Sequence, residues 1–186
     1  KVPFVVRWPG RVKAGTVTDA MISYTDVLPT FLEAAGGKPV PGLDGSSFVK
    51  VLTGQARTFR KELHASHSGD GTMNMSPQRC LRDERYKYIL HLHPERKWTT
   101  HFTIVDEIPE SHRQVYGTWL ERAKTDAAAA QLIERIERHP AEELFDTEKD
   151  PDELHNVAGK PEMASVLTRM RKRMKQLRSE LGDSDE

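Results

Sequence analysis

Apolar and polar positions follow two periods along this chain, and the switches between them mark its elements. The run Val2–Trp8 has strand propensity from its first residue and reaches a Trp8-Pro9-Gly10 turn. No second convincing strand follows within fifty residues, so this run reads as part of a fragment whose partner strands precede Lys1. Residues 11–20 read as an exposed loop. Over residues 23–37 the spacing predicts a helix: Val27, Leu28, Phe31 and Leu32 form a stripe, Thr25 or Asp26 can cap, Pro29 is tolerable in the first turn and Gly36 ends it. Turn chemistry fills 38–45, and Ser46 or Ser47 then caps a short helix over Phe48, Val51 and Leu52, closed by Gly54.

Composition shifts around 55–60, where a boundary is placed, giving domains 1–56 and 57–186. Beyond it, 62–68 reads as a strand, and 78–82 with 85–93 as a hairpin turning at Asp83-Glu84. Strict alternation puts Tyr86, Tyr88, Leu90 and Leu92 on one face, read as core, and Lys87, Ile89, His91 and His93 on the other. Helical pattern returns at Val115, Trp119, Leu120 and Ala123, and again over Leu132, Ile133 and Ile136 until Pro140. Leu144-Phe145-Asp146 is a short strand before the turn at 149–152. A last helix from about Pro161 carries Met163, Val166, Leu167, Met170, Met174, Leu177 and Leu181 at spacings of three and four. The order predicts an α/β remnant followed by an α+β part with a core of its own.

Composition narrows the function classes. With 28 Lys+Arg against 28 Asp+Glu the 186-residue chain has no global basic footprint, which argues against nucleic acid as a partner. No apolar run reaches the length of a membrane span, and no signal-peptide pattern opens the chain. One cysteine excludes both an internal disulfide and Cys-based structural zinc.

Several constellations could carry chemistry. His64, His67 and Asp70 fall within seven residues before a glycine-rich loop, but positions i and i+3 of a strand point oppositely, so a shared metal is disfavoured. His67 at the strand end, with Asp70, suits a sugar hydroxyl or an anion, since an imidazole can donate in either protonation state; loop histidines facing water are the plainer alternative. Cys80 reads as a buried structural thiol. Arg79, Arg82 and Arg85 offer forks matching a sulfate or phosphate, one of them at most being used so. His91 and His93 share a face and could form a metal pair, with a third ligand from elsewhere. The basic run 169–175 reads as a solvated helix face. No phosphate-binding glycine loop, Ser-His-Asp set, HExxH or paired-Cys motif is present, and the chain holds no complete active site of its own.

In order, Val2-Pro3-Phe4…Arg7-Trp8-Pro9-Gly10, Ser23…Asp26…Leu28-Pro29-Thr30, Leu43-Asp44-Gly45…Ser47, Arg79…Arg82…Tyr86-Lys87-Tyr88-Ile89 and Glu143-Leu144-Phe145-Asp146…Asp150-Pro151-Asp152-Glu153…Asn156 resemble the C-terminal half of the type I sulfatases. The resemblance is weakest over 94–140. Ser66-His67, Thr72-Met73, Pro77, Arg79 and Arg82 are most similar to the sulfamidase (heparan N-sulfatase) branch, with a small length difference at 68–71. It implies the end of an alkaline-phosphatase-like large domain, then a C-terminal domain with a small antiparallel sheet and a long last helix. It also implies hydrolysis of sulfate esters or sulfamates of a sulfated glycan, with formylglycine and calcium as cofactors and a secreted, periplasmic or lysosomal setting. Cys80-Leu81-Arg82 does not match the formylglycine motif Cys/Ser-x-Pro/Ala-x-Arg, so both cofactors are expected outside these residues, with no catalytic residue and no metal ligand here. The implied partner is an N-terminal catalytic part of the same protein. The site residues expected to contact substrate are His67, Asp70 and Arg79, and a structural role for all three stays open. The alternatives are a non-catalytic module that binds a catalytic partner or anionic glycan, and a phosphodiesterase-like relative. A fragment exposing large-domain surface is expected to self-associate.

Overall fold

The computed structural model describes residues 2–69, 76–100, 102–103 and 110–184. They divide into two compact units, Lys1–Leu63 and His64–Glu186.

In the first unit a 3-10 turn at Tyr24–Asp26 runs directly into α1 (Val27–Ala34), and α2 spans Val49–Leu52. Ser23 caps the 3-10 turn, and Asp26, one of the two expected caps, is the N-cap residue of α1 but makes no side-chain capping bond to it. The helical path starts one turn earlier than the apolar spacing indicates, so the free N–H groups lie above Ser23 and the Asp26 side chain turns back into the unit. Gly36 has φ +77° and its N–H returns to the Glu33 carbonyl, which ends the helix. The expected apolar stripe is not buried here: Phe31 is 64% and Leu28 53% exposed, while the buried residue of α1 is Thr30. Residues 2–8 form no strand, since the sheet's ladders run only among later residues; Phe4 instead meets Phe48 edge-on at 5.9 Å.

The sheet consists of β1 (Glu62–His67), β2 (Gln78–Asp83), β3 (Tyr86–His91) and β4 (Glu142–Asp146), in spatial order 1-2-3-4. β2 and β3 form the predicted antiparallel hairpin, with Leu81 opposite Tyr88, and β4 runs antiparallel to β3, with Leu144 opposite Tyr88. Directly opposed residues share a face, so Leu81, Tyr88 and Leu144 form one apolar line across three strands. On it lies α5 (Ala164–Glu180), preceded by a 3-10 turn at Pro161–Met163, with Leu167, Met170, Met174 and Leu177 buried against that line. Tyr86 and Leu90 pack at its margin, as the alternation predicts. Leu181 follows the last helical turn and is exposed. Between β3 and β4 the chain forms α3 (Glu110–Ala123) and α4 (Ala127–Glu137), the second capped by the Asp126 carboxylate on the N–H groups of Ala128 and Ala129. β3 ends at His91, so the shared face expected for His91 and His93 does not continue, and His93 turns to Glu95 at 3.1 Å.

Candidate functional site

The motif residues that carry the family resemblance fold into turn locks. Asp26 is 0% exposed and accepts from the N–H groups of Ser23 (2.8 Å) and Ser46 (2.9 Å) and from Arg60 Nε (2.7 Å), with a second, ion-paired contact to the Arg60 fork. Burial opposes its ionisation, but Arg60 and these two amides outweigh that and hold the carboxyl below its ordinary range. Thr30 Oγ1 donates to the Asp26 carbonyl and accepts from the Phe48 N–H, so α1 and the start of α2 are tied to one residue. Gly45 completes the lock: a Cβ there would lie 1.8 Å from the Thr25 carbonyl oxygen. The later motif behaves alike. Asn156 Oδ1 accepts from the N–H groups of Leu144 and Ala158, its amide donates to the Glu142 carbonyl, and Asp146 takes the Arg85 fork at 3.0 and 2.7 Å.

His67 ends β1 half-buried, next to the loop that leads to Asp70; Asp70 itself lies outside the described residues. Arg79 sits on β2 and is 2% exposed. It shares the α5 side of the sheet with Leu81, two residues on, and there its guanidinium is held on three sides. Nε and Nη2 donate to Asp183 at 2.6 and 2.7 Å, while Nη1 donates to the carbonyls of His67 (2.9 Å) and Gln78 (3.0 Å). Arg79 and a second bond from Arg178 Nε hold the Asp183 carboxyl far below its ordinary range. Arg79 therefore fixes the backbone at His67 rather than presenting an open fork. Asp183, 104 positions away, carries no sequence signal that would pair it with Arg79.

The remaining candidates resolve into packing or pairing. Cys80 is partly buried opposite Ile89, and burial raises its thiol pKa. Neither its setting nor its motif fits a formylglycine precursor. Arg82 faces Glu153 and Thr147, Arg85 takes Asp146, and in the basic run Arg169 pairs with Asp83, Arg171 with Glu142 and Arg173 with Glu180. Among the described residues the His and carboxylate groups close enough to share an ion are His91, His139 and Glu143. Two imidazoles and one carboxylate do not make the oxygen cage that calcium takes.

A solved structure in complex with its substrate D-glucosamine-2-N,6-O-disulfate matches 96% of this chain and 28% of its own, with a TM-score of 0.62 at 20% identity. A phosphonate monoester hydrolase from Silicibacter pomeroyi matches 97% and 29% with a TM-score of 0.55 at 21% identity. At these identities the likeness is one of fold: short helices, then a four-stranded antiparallel sheet with a long last helix. The family model for N-sulphoglucosamine sulphohydrolase, C-terminal, matches residues 1–138 and 122–180, and the chain belongs to that family. An ulvan-active sulfatase from Formosa agariphila is 35% identical over 176 residues, 94% of this chain. The chain spans 32% of that relative's length.

Proposed function

We propose that residues 1–186 are the C-terminal portion of a sulfatase that hydrolyses sulfate esters or sulfamates of a sulfated glycan, with heparan N-sulfatase-like specificity. In this reading 1–56 end the large catalytic domain and 57–186 form the smaller subdomain that closes one side of the pocket. The observation that carries it is the match of the N-sulphoglucosamine sulphohydrolase C-terminal model along nearly the whole chain. The substrate class draws support from the glucosamine disulfate bound to a protein of the same fold and from the ulvan-active relative. His67 is the substrate contact, donating from its imidazole to a sugar hydroxyl or a sulfate oxygen. Asp70 assists it, and Arg79 acts through the His67 carbonyl, holding the strand end at a set height. Formylglycine and calcium belong to the catalytic part outside these residues, where they supply the nucleophile and the charge that steadies sulfate oxygens. The exposed Leu28 and Phe31 make the isolated chain self-associate.

The test measures sulfate release from glucosamine N-sulfate and glucosamine 6-sulfate by the whole protein and by residues 1–186. The whole protein is expected to release sulfate, with N-sulfate preferred, and the isolated chain to release none. His67→Ala in the whole protein should raise KM about tenfold with little change in kcat, the size of one lost hydrogen bond to a charged group. Release by the isolated chain would overturn the division of labour. A whole protein inert toward both sugars but active on phosphonate or phosphate diesters would move the assignment to the phosphodiesterase-like reading, which the Silicibacter pomeroyi fold match favours.

A further inference from the structure

On the sheet face opposite α5 a second group of titratable side chains converges. His91 ends β3, Glu143 lies in β4 on that face opposite Ile89, and His139 sits in the turn between α4 and β4. His91 is 3% exposed: its Nε2 lies 2.9 Å from Glu143 Oε2, while its Nδ1 is buried without a hydrogen-bond partner. His139 Nδ1 lies 4.0 Å from the same carboxylate oxygen. The two imidazoles are stacked, with centroids 4.6 Å apart and planes 4° from parallel, and Trp98 meets His139 edge-on at 5.3 Å. One donor atom from each of the three residues lies within 4.8 Å of the other two.

We propose that His91, His139 and Glu143 bind one divalent cation of the zinc class, with water completing the coordination. Two imidazole nitrogens and one carboxylate oxygen are the donors such an ion takes, and calcium or magnesium would want oxygens instead. Tetrahedral ligands about 2.0–2.1 Å from zinc stand about 3.4 Å from one another, and the observed 2.9 and 4.0 Å bracket that spacing. Glu143 and His139 keep part of their surface open to solvent, which gives an ion a way in.

The stacked arrangement also dictates what loading does. Imidazole lone pairs lie in the ring planes, so two parallel rings cannot both aim at one point. The buried His91 is held by its strand, so His139, on the turn, is the ring that swings out of the stack.

Chelator-treated protein is titrated with Zn2+ in competition with a chromophoric chelator, comparing the native sequence with His139→Ala, Glu143→Gln and His93→Ala. His91→Ala is avoided because it empties a buried position. The native protein and His93→Ala are expected to take up an equivalent that His139→Ala and Glu143→Gln bind at least thirtyfold more weakly. On the unsubstituted protein, needing no variant, Zn2+ should move the His139 ring-proton resonances out of the His91 ring current, and Co2+ should give the visible absorption of a tetrahedral site. The site is overturned if the native protein takes up no equivalent, or if His139→Ala and Glu143→Gln keep it. Equal loss in His93→Ala, or His139 resonances unmoved at saturation, overturns it too.

Discussion

Asp26 carries more of the first unit than any single apolar side chain does. Its carboxylate is shut away from water and answers two backbone N–H groups and an arginine fork at once, so the charge is compensated only while the whole set is in place. Asp26→Asn keeps an acceptor but turns an amide toward Arg60, and is expected to cost about 3 kcal/mol, the lower end for breaking a buried ion pair, read as a fall in the urea midpoint. The same group sets an acid dependence. Its pKa is depressed in the folded protein, so its contribution is fully present above the ordinary carboxyl pKa of about 4 and is lost as pH falls through the folded value. The difference in stability between the native sequence and Asp26→Asn should be constant from pH 7 to about 5 and shrink below about 4. A gap that stays constant to pH 2 would count against this account. Asp26 and Gly45 are visible in the sequence as members of motifs. Nothing in the sequence shows that both serve one lock, because their partners lie up to 34 positions apart.

At the scale of elements, the legible segments are those whose periodicity is backed by burial. In β3 the period of two put Tyr86, Tyr88 and Leu90 toward the core, and in α5 the spacing of three and four named Leu167, Met170, Met174 and Leu177; both hold because the two faces pack on each other. Met170, in the middle of that contact, is buried on all sides, and Met170→Ala should destabilise the second unit by about 2–5 kcal/mol, measured by chemical denaturation, with most of the loss from the cavity left behind. The same reasoning overreads α1. Its stripe has helical spacing, yet Leu28 and Phe31 stay exposed, since an apolar pattern states what a helix can bury and not whether a surface is present to cover it. Val2–Trp8 makes the matching point for strands: propensity without a partner gives extended chain and no ladder.

For the whole molecule, the two units differ in what holds them. All the buried residues of the main apolar cluster fall at or beyond Leu81, whereas the buried apolar residues of the first unit are Phe48 and Val51, set beside the Asp26 lock. Residues 61–186 are therefore expected to melt cooperatively on their own, and residues 1–60 to show no cooperative transition by circular dichroism; a cooperative melt of 1–60 would mean that the lock alone suffices. The sequence by itself determined the elements after residue 60, the faces of β3 and α5 and the family, because each rests on local periodicity or on short ordered motifs. It named His67 and Arg79 but not Asp183, and His91 but not His139 and Glu143 as its neighbours. Those pairings join residues that are distant in the chain, and only strand register and the turn into β4 bring their side chains together. Tertiary structure alone decided that Arg79 is spent on Asp183 and on the backbone of His67, since a buried guanidinium takes whatever oxygens the folded chain sets around it, and no spacing along the sequence encodes which ones those are.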